Sequence, residues 1–119
     1  MIGVRATAPE RLCHLALTVG ISTAAILVVV AFLPPPDIAR ATAPHWLLHA
    51  AVFAILGLAW TVGLPRVSAL RITLAIVAFG FLHEAIEIFG HGHSFEFGDA
   101  LNNAVGTVTG TLVGSMARR

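Results

Sequence analysis

The chain has 119 residues, 57% of them hydrophobic and only 11% charged, with a formal net charge of +1. The length allows one domain at most, and the charge balance leaves no nucleic-acid footprint. A charged share about half the ~25% of soluble globules, combined with long apolar runs, excludes an ordinary soluble domain and points to an integral membrane protein.

The first predicted element is an apolar run at residues 12–33. Arg5 and Arg11 precede it, as basic residues precede the apolar core of a signal sequence. The run exceeds the ~7–15 residues of such a core and can cross ~30 Å of hydrocarbon as a helix. It therefore reads as a retained span; Ala39, Ala41 and Ala43 are the small residues that a cleaved leader would use. Thr18, Ser22 and Thr23 are tolerated inside it because hydroxyls bond back to helix carbonyls. Cys13, the single cysteine, excludes an internal disulfide and a cysteine-based zinc site and reads as a small apolar filler. His14 reads as interfacial. Pro34-Pro35-Pro36 ends the span and favours an extended spacer, followed by a loop with Asp37, Arg40 and Thr42.

A second span is predicted at residues 46–64. Trp46 and Trp60 lie near its ends, where indoles favour the interface. Small residues (Ala50, Ala51, Ala54, Gly57, Ala59) suit close helix packing, and His45 and His49 share a face one turn apart. Pro65-Arg66-Val67-Ser68 forms a turn. The third span, residues 71–89, carries Gly80, His83, Glu84 and Glu87 toward its C-terminal end. Gly90-His91-Gly92-His93 breaks it, and Ser94 is an N-cap for the next helix, with Glu96 in the first turn.

The fourth span, residues 94–117, is the weakest by hydropathy because of Asp99, Asn102 and Asn103. Asp99, Asn103, Gly106 and Gly110 nevertheless form one helical stripe. Gly106, Gly110 and Gly114 make two overlapping GxxxG steps, the close-approach pattern of membrane helices. A helix packed against protein fits this pattern; a re-entrant segment is the alternative. Four spans with cytoplasmic termini put Arg5, Arg11, Arg66, Arg71, Arg118 and Arg119 inside and only Arg40 outside, which satisfies the positive-inside rule.

This topology gathers His45, His49, His83, Glu84, Glu87, His91, His93, Glu96, Asp99, Asn102 and Asn103 into one layer at the extracytoplasmic interface. Such ionisable groups within membrane depth mark a functional site by default; the plainer account is that they pair across helices and fix packing, which is worth only ~0.6 kcal/mol per contact. Glu84 and Asp99 are the candidate acid–base groups. His49, Glu84, Glu87, His93, Asp99 and Asn103 are the candidate binding residues, and Gly106, Gly110 and Gly114 the packing residues. No cofactor is expected. His plus carboxylate is ordinary zinc chemistry, but an HGH loop is a weak signal, so His91 and His93 are the only metal candidates and no metal is expected.

From His45 to Gly114 the chain resembles the VanZ-like family of small bacterial membrane proteins. The resemblance rests on HWLLHAAVFAILG and on EAIEIFGHGHSFEFGDALNNAVGTVTG. The second segment follows the family pattern of E-x-x-Q, Pro-Gly-Arg, a serine and acidic stretch, then D-x-x-x-N-x-x-G-x-x-x-G. Glu84, Gly92, Ser94, Asp99, Asn103, Gly106 and Gly110 match it, and His49 matches a histidine at the head of a span. Glu87 replaces the usual glutamine, His91 a common proline and His93 a common arginine; His45-Trp46 stands for an Asp-Lys. An arginine pairs with Glu84 and Asp99 permanently, whereas His93 does so only when protonated. The family is linked with low-level resistance to teicoplanin, a glycopeptide acting outside the membrane.

The expectation is thus an all-α, single-domain integral membrane bundle of four helices (about 12–33, 46–64, 71–89 and 94–117) in the bacterial inner membrane. Its polar site would bind a lipid headgroup or cell-wall precursor and modulate the cell envelope, with membrane lipids as its surroundings and no nucleic-acid partner. The competing expectation is a membrane-embedded acid–base or metal-assisted enzyme acting on a lipid or cell-wall intermediate.

Overall fold

The computed structural model describes residues 8–34 and 44–119. Arg5, Pro35-Pro36, Asp37, Arg40, Thr42 and the alanines at 39, 41 and 43 lie outside the described residues. The described chain is all-helical: α1 (Ala8–Ala31), α2 (His45–Gly63), α3 (Ala69–His91) and α4 (Phe97–Ala117). Three helices, Pro9–Ala31 within α1, then α2 and α3, are long and apolar enough to cross a membrane.

The helix ends arise from local chemistry. The α-helical ladder of α1 stops at Ala31 and tightens, Phe32 and Leu33 donating to Val29 O and Val30 O three residues back. Pro34 enforces this stop, because the residue before a proline is pushed out of the helical region. Ser68 Oγ accepts from Arg71 N and starts α3 two residues before the predicted boundary. Gly92 (φ 71°) ends α3 as a left-handed cap, its N–H donating to Ile88 O, so the helix runs through Gly90 to His91. Glu96, not Ser94, is the residue before the first turn of α4, and its side chain makes no cap hydrogen bond.

The helices alternate in direction. Gly20 lies beside Trp60 and Leu17 beside Gly63, so α1 and α2 are antiparallel. Thr73 Oγ1 donates to Thr111 Oγ1 at 2.9 Å, and Asn103 reaches Glu84, so α3 and α4 are antiparallel. Gly106 faces Ala50, Gly110 faces Ala54 and Gly114 faces Thr61, so α2 and α4 run parallel along their length. This pair forms the most extensive helix contact. A methyl group on Gly106 or Gly110 would strike the carbonyl of Ala50 or Ala54, so glycine is what permits the approach.

Within α4 one stripe of polar side chains turns inward. Asn103, Thr107 and Thr111 are buried, while Val105, Val108, Leu112 and Met116 are exposed. The apolar core lies elsewhere, where Leu27 of α1, Phe53 and Leu56 of α2, and Ile72 and Ile76 of α3 meet. Trp60 packs against this cluster and over Gly20, whereas Trp46 stays exposed. Leu15, Ile26, Leu74 and Leu82 face outward with many other apolar side chains, a surface suited to lipid.

The two ends of the bundle differ in charge. At one end Arg118 crosses to the α2–α3 turn and donates to Thr61 O, Leu64 O and Val67 O at 3.1, 3.2 and 3.0 Å. The Thr61 and Leu64 carbonyls close α2 and that of Val67 belongs to the turn; a cation at a helix C-terminus also offsets the dipole. Arg118→Ala should therefore lower stability by about 1–2 kcal/mol, read as thermal unfolding in detergent micelles. Arg118→Lys should recover much of the loss, because all three contacts run from the single nitrogen Nη1 and an ammonium also offers three donors at one point. At the opposite end the acids and histidines gather.

Candidate functional site

Three helix ends form the cluster: the start of α2, the end of α3 and the start of α4. Periodicity puts the relevant side chains inside. His45 and His49 share one face of α2, His83, Glu84 and Glu87 fall on adjoining positions of α3, and Asp99 and Asn103 lie one turn apart on α4. At 1.5 Å per residue, Glu84 and Asn103 sit roughly 9–11 Å inside the ends of their helices.

Asn103 is the junction. Its Nδ2 donates to Glu84 Oε1 at 2.9 Å, and its Oδ1 accepts from His49 Nδ1 at 2.9 Å. His49 Nδ1 also lies 3.3 Å from Glu84 Oε1. Both neighbours of Nδ1 are acceptors, so the proton of a neutral His49 resides there. Its Nε2 is then free to accept, and it lies 3.0 Å from His45 Nε2 and 3.7 Å from Asp99 Oδ2. His45 Nε2 in turn lies 3.0 Å from Asp99 Oδ2. The side chains grade from 59% exposed at His45 through 12% at Asp99 and 8% at His49 to 0% at Glu84. A continuous hydrogen-bonded path therefore links a sealed carboxylate to the surface.

A second line runs beside the first. His83 Nε2 donates to Glu87 Oε1 at 3.2 Å, and His91 Nδ1 lies 3.9 Å from the same oxygen. The other nitrogen of His91 donates to Val30 O at 3.2 Å, tying the cluster to the end of α1. His93 stands at the rim: its Nδ1 donates to Ser94 O at 2.9 Å, and its ring meets His91 edge-on with centroids 5.4 Å apart. Among the described residues four buried polar atoms have no hydrogen-bond partner: Glu84 Oε2, Glu87 Oε2 and His83 Nδ1 in this cluster, and Thr61 Oγ1 toward the other end of α2.

Ligating atoms come close in four sets of three among the described residues. They are His45/His49/Asp99, Glu87/His91/His93, His49/Glu84/Glu87 and Glu84/Glu96/Asp99, each within 4.8 Å. Outside the helices, partial desolvation holds the Glu96 carboxyl above the usual carboxylate range, helped by a hydrogen bond to Asp99 and repulsion from it.

The sequence-derived candidates thus divide. His49, Glu84, Asp99 and Asn103 converge in one hydrogen-bonded unit, and Glu87 lies in the adjoining line. His93 contacts the loop backbone, and with His91 it adjoins Glu87 rather than the Asn103 junction. Two participants are absent from the sequence-derived site: His45, which links Asp99 to His49, and His83, which holds Glu87. The i,i+4 pairs His45/His49 and His83/Glu87 are the signals that could have found them.

Comparisons with protein-family models, curated proteins and solved structures give no match to the chain.

Proposed function

We propose that this chain is a VanZ-like, four-span protein of the bacterial inner membrane, with both termini cytoplasmic. Its polar cluster faces the extracytoplasmic side and binds the headgroup of a lipid or cell-wall precursor, modulating the envelope and its susceptibility to teicoplanin. The observation that carries this reading is the path from exposed His45 to sealed Glu84. A set of packing contacts has no need to reach the surface, whereas a binding site does.

Two further features support it. The 21 residues of α4 span ~30 Å, and the helix lies along α2 with Asn103, Thr107 and Thr111 inward and Val105, Val108, Leu112 and Met116 outward. That arrangement supports a fourth crossing despite weak hydropathy. Arg11, Arg71 and Arg118 at helix ends, and Arg66 in the α2–α3 turn, lie remote from the acidic cluster, and a cytoplasmic arginine end agrees with the positive-inside rule. The VanZ-like assignment rests on the residue pattern through Glu84, Asp99, Asn103, Gly106 and Gly110.

A second reading is favoured by the same path. A carboxylate joined to the surface through two imidazoles is suited to moving a proton, which supports an acid–base enzyme acting on a lipid or cell-wall intermediate with Glu84 or Asp99 in that role.

Native mass spectrometry from nanodiscs containing a lipid pyrophosphate tests the binding reading. Wild type should retain the lipid, and Asp99→Asn and His45→Ala should lose most of it without loss of helicity. Expression of wild type, but not of Asp99→Asn, should raise tolerance to teicoplanin. Equal lipid retention and equal tolerance in all three chains would refute the reading. Turnover of the lipid by wild type, abolished in Glu84→Gln, would favour the enzyme.

A further inference from the structure

We propose that His49, Glu84 and Glu87 form a buried site for a first-row divalent cation of the zinc type. Their ligating atoms lie within 4.8 Å of one another. All three residues are buried, at 9%, 1% and 4% exposure. The site lies deeper than the histidine loop and uses neither His91 nor His93.

The orphaned atoms point to a ligand independently of this clustering. Glu84 and Glu87 each bury one carboxylate oxygen without a hydrogen-bond partner. Leaving such an atom unpaired is unfavourable, and buried charge is retained where it is paired or coordinates a metal. Two carboxylates this close also repel each other in a low-dielectric interior. A divalent cation relieves both penalties, since it offsets the two charges and gives the carboxylates the partner they lack.

The donor set selects the class of ion. Imidazole nitrogen with two carboxylates, and no thiolate, suits Zn2+, Fe2+ or Mn2+ rather than Cu+. Three protein donors leave a coordination position open to water or another ligand, as in reactive zinc sites. The neighbours are those that tune such a site. Glu87 is held by His83 at 3.2 Å. Coordination through His49 Nδ1 leaves Nε2–H facing His45 Nε2, 3.0 Å away. A histidine ligand whose second ring nitrogen is held by an outer-shell partner is the common arrangement. On metal binding, Asn103 Oδ1 loses the His49 proton while Asn103 Nδ2 keeps its bond to Glu84.

This inference does not depend on envelope binding and is read without a lipid ligand. The chain, purified in detergent without a polyhistidine tag, is stripped with EDTA, loaded with Zn2+, freed of excess and analysed by elemental mass spectrometry. Wild type should hold one zinc per chain and unfold at a higher temperature with zinc than without. Glu84→Gln and Glu87→Gln, which keep shape and hydrogen-bonding capacity, should weaken zinc binding at least about tenfold. The His91→Ala/His93→Ala double variant should bind as wild type does. A wild-type chain that retains no zinc overturns the proposal whatever the variants do. Zinc held by Glu87→Gln but lost from the double variant overturns it too, because the loop would then be the site. If a Gln variant fails to fold, Asp99→Asn decides the matter together with the double variant, because it disables the two other sets, His45/His49/Asp99 and Glu84/Glu96/Asp99: zinc kept by both upholds the site, and zinc lost from Asp99→Asn overturns it. Zinc bound by a wild type that neither retains the pyrophosphate lipid nor alters teicoplanin tolerance would uphold this site while the functional reading failed.

Discussion

Gly110→Leu should drive α2 and α4 apart and destabilise the protein on the order of 3 kcal/mol. The added side chain meets the Ala54 carbonyl, a backbone group fixed in its helix. A flexible side chain could swing aside, but a carbonyl in a helical ladder moves only with its helix. Separation would also stretch the bonds from His49 to Asn103, because they bridge the same two helices. Gly106→Leu, one turn nearer the cluster against Ala50, should disturb the site more than Gly110→Leu does. Leu112→Ala, on the outward face of α4, is the control and should change stability by less than about 0.5 kcal/mol. The measurement is reversible unfolding in mixed micelles. Equal midpoints for Gly110→Leu and Leu112→Ala would sink the close-packed account of this pair.

The second large effect is expected at Asn103, the only side chain that bonds both His49 and Glu84 among the described residues. Asn103→Leu fills similar space but offers no polar group. It removes two hydrogen bonds and leaves Glu84 with His49 as its one partner, at an expected cost of about 2 kcal/mol. Asn103→Asp should be worse at neutral pH, about 3–5 kcal/mol. It replaces the Nδ2 donor with an acceptor and turns a second carboxylate toward a buried one. Asn103→Gln should fall between wild type and Leu, keeping both functions on a longer arm. A midpoint for Asn103→Asp at or above that of Asn103→Leu would mean that the two facing carboxyls share a proton in the folded variant. The expected order is therefore also a test of the charge state.

The helical elements are legible in the sequence because apolar runs and proline or glycine punctuation act locally. Pro34 and Gly92 fix ends through backbone constraints that operate within a few residues. The start of α4 departs from expectation because Ser94 has the composition of a cap but forms none, and α4 begins after Glu96. Trp60 has the position of an interfacial indole, near a helix end. Its ring instead fills the space beside Gly20, which depends on a residue far away in sequence. The convergence of His49, Glu84, Asp99 and Asn103 is a product of alternating helices, since that topology brings three ends to one layer. What periodicity cannot supply is which nitrogen meets which oxygen. It therefore places His45 and His83 in the layer but not in the site. Their roles appear only when the rotation of each helix about its own axis is known.

The parallel run of α2 and α4 has an electrostatic consequence for the cluster's composition. Two helices side by side in the same direction bring their positive N-terminal ends together, each equivalent to roughly half an elementary charge. Glycine contact makes that juxtaposition close, and like ends repel. Asp99 lies in the first turn of α4, facing His45 in the first turn of α2, with Glu96 just before it. An acid in such a position stabilises by about 0.3–1 kcal/mol. Part of the acidity at this end of the bundle is thus a counter-charge that the backbone requires. Removing both Glu96 and Asp99 would strip two neighbouring dipoles of their shared screen as well as altering a site.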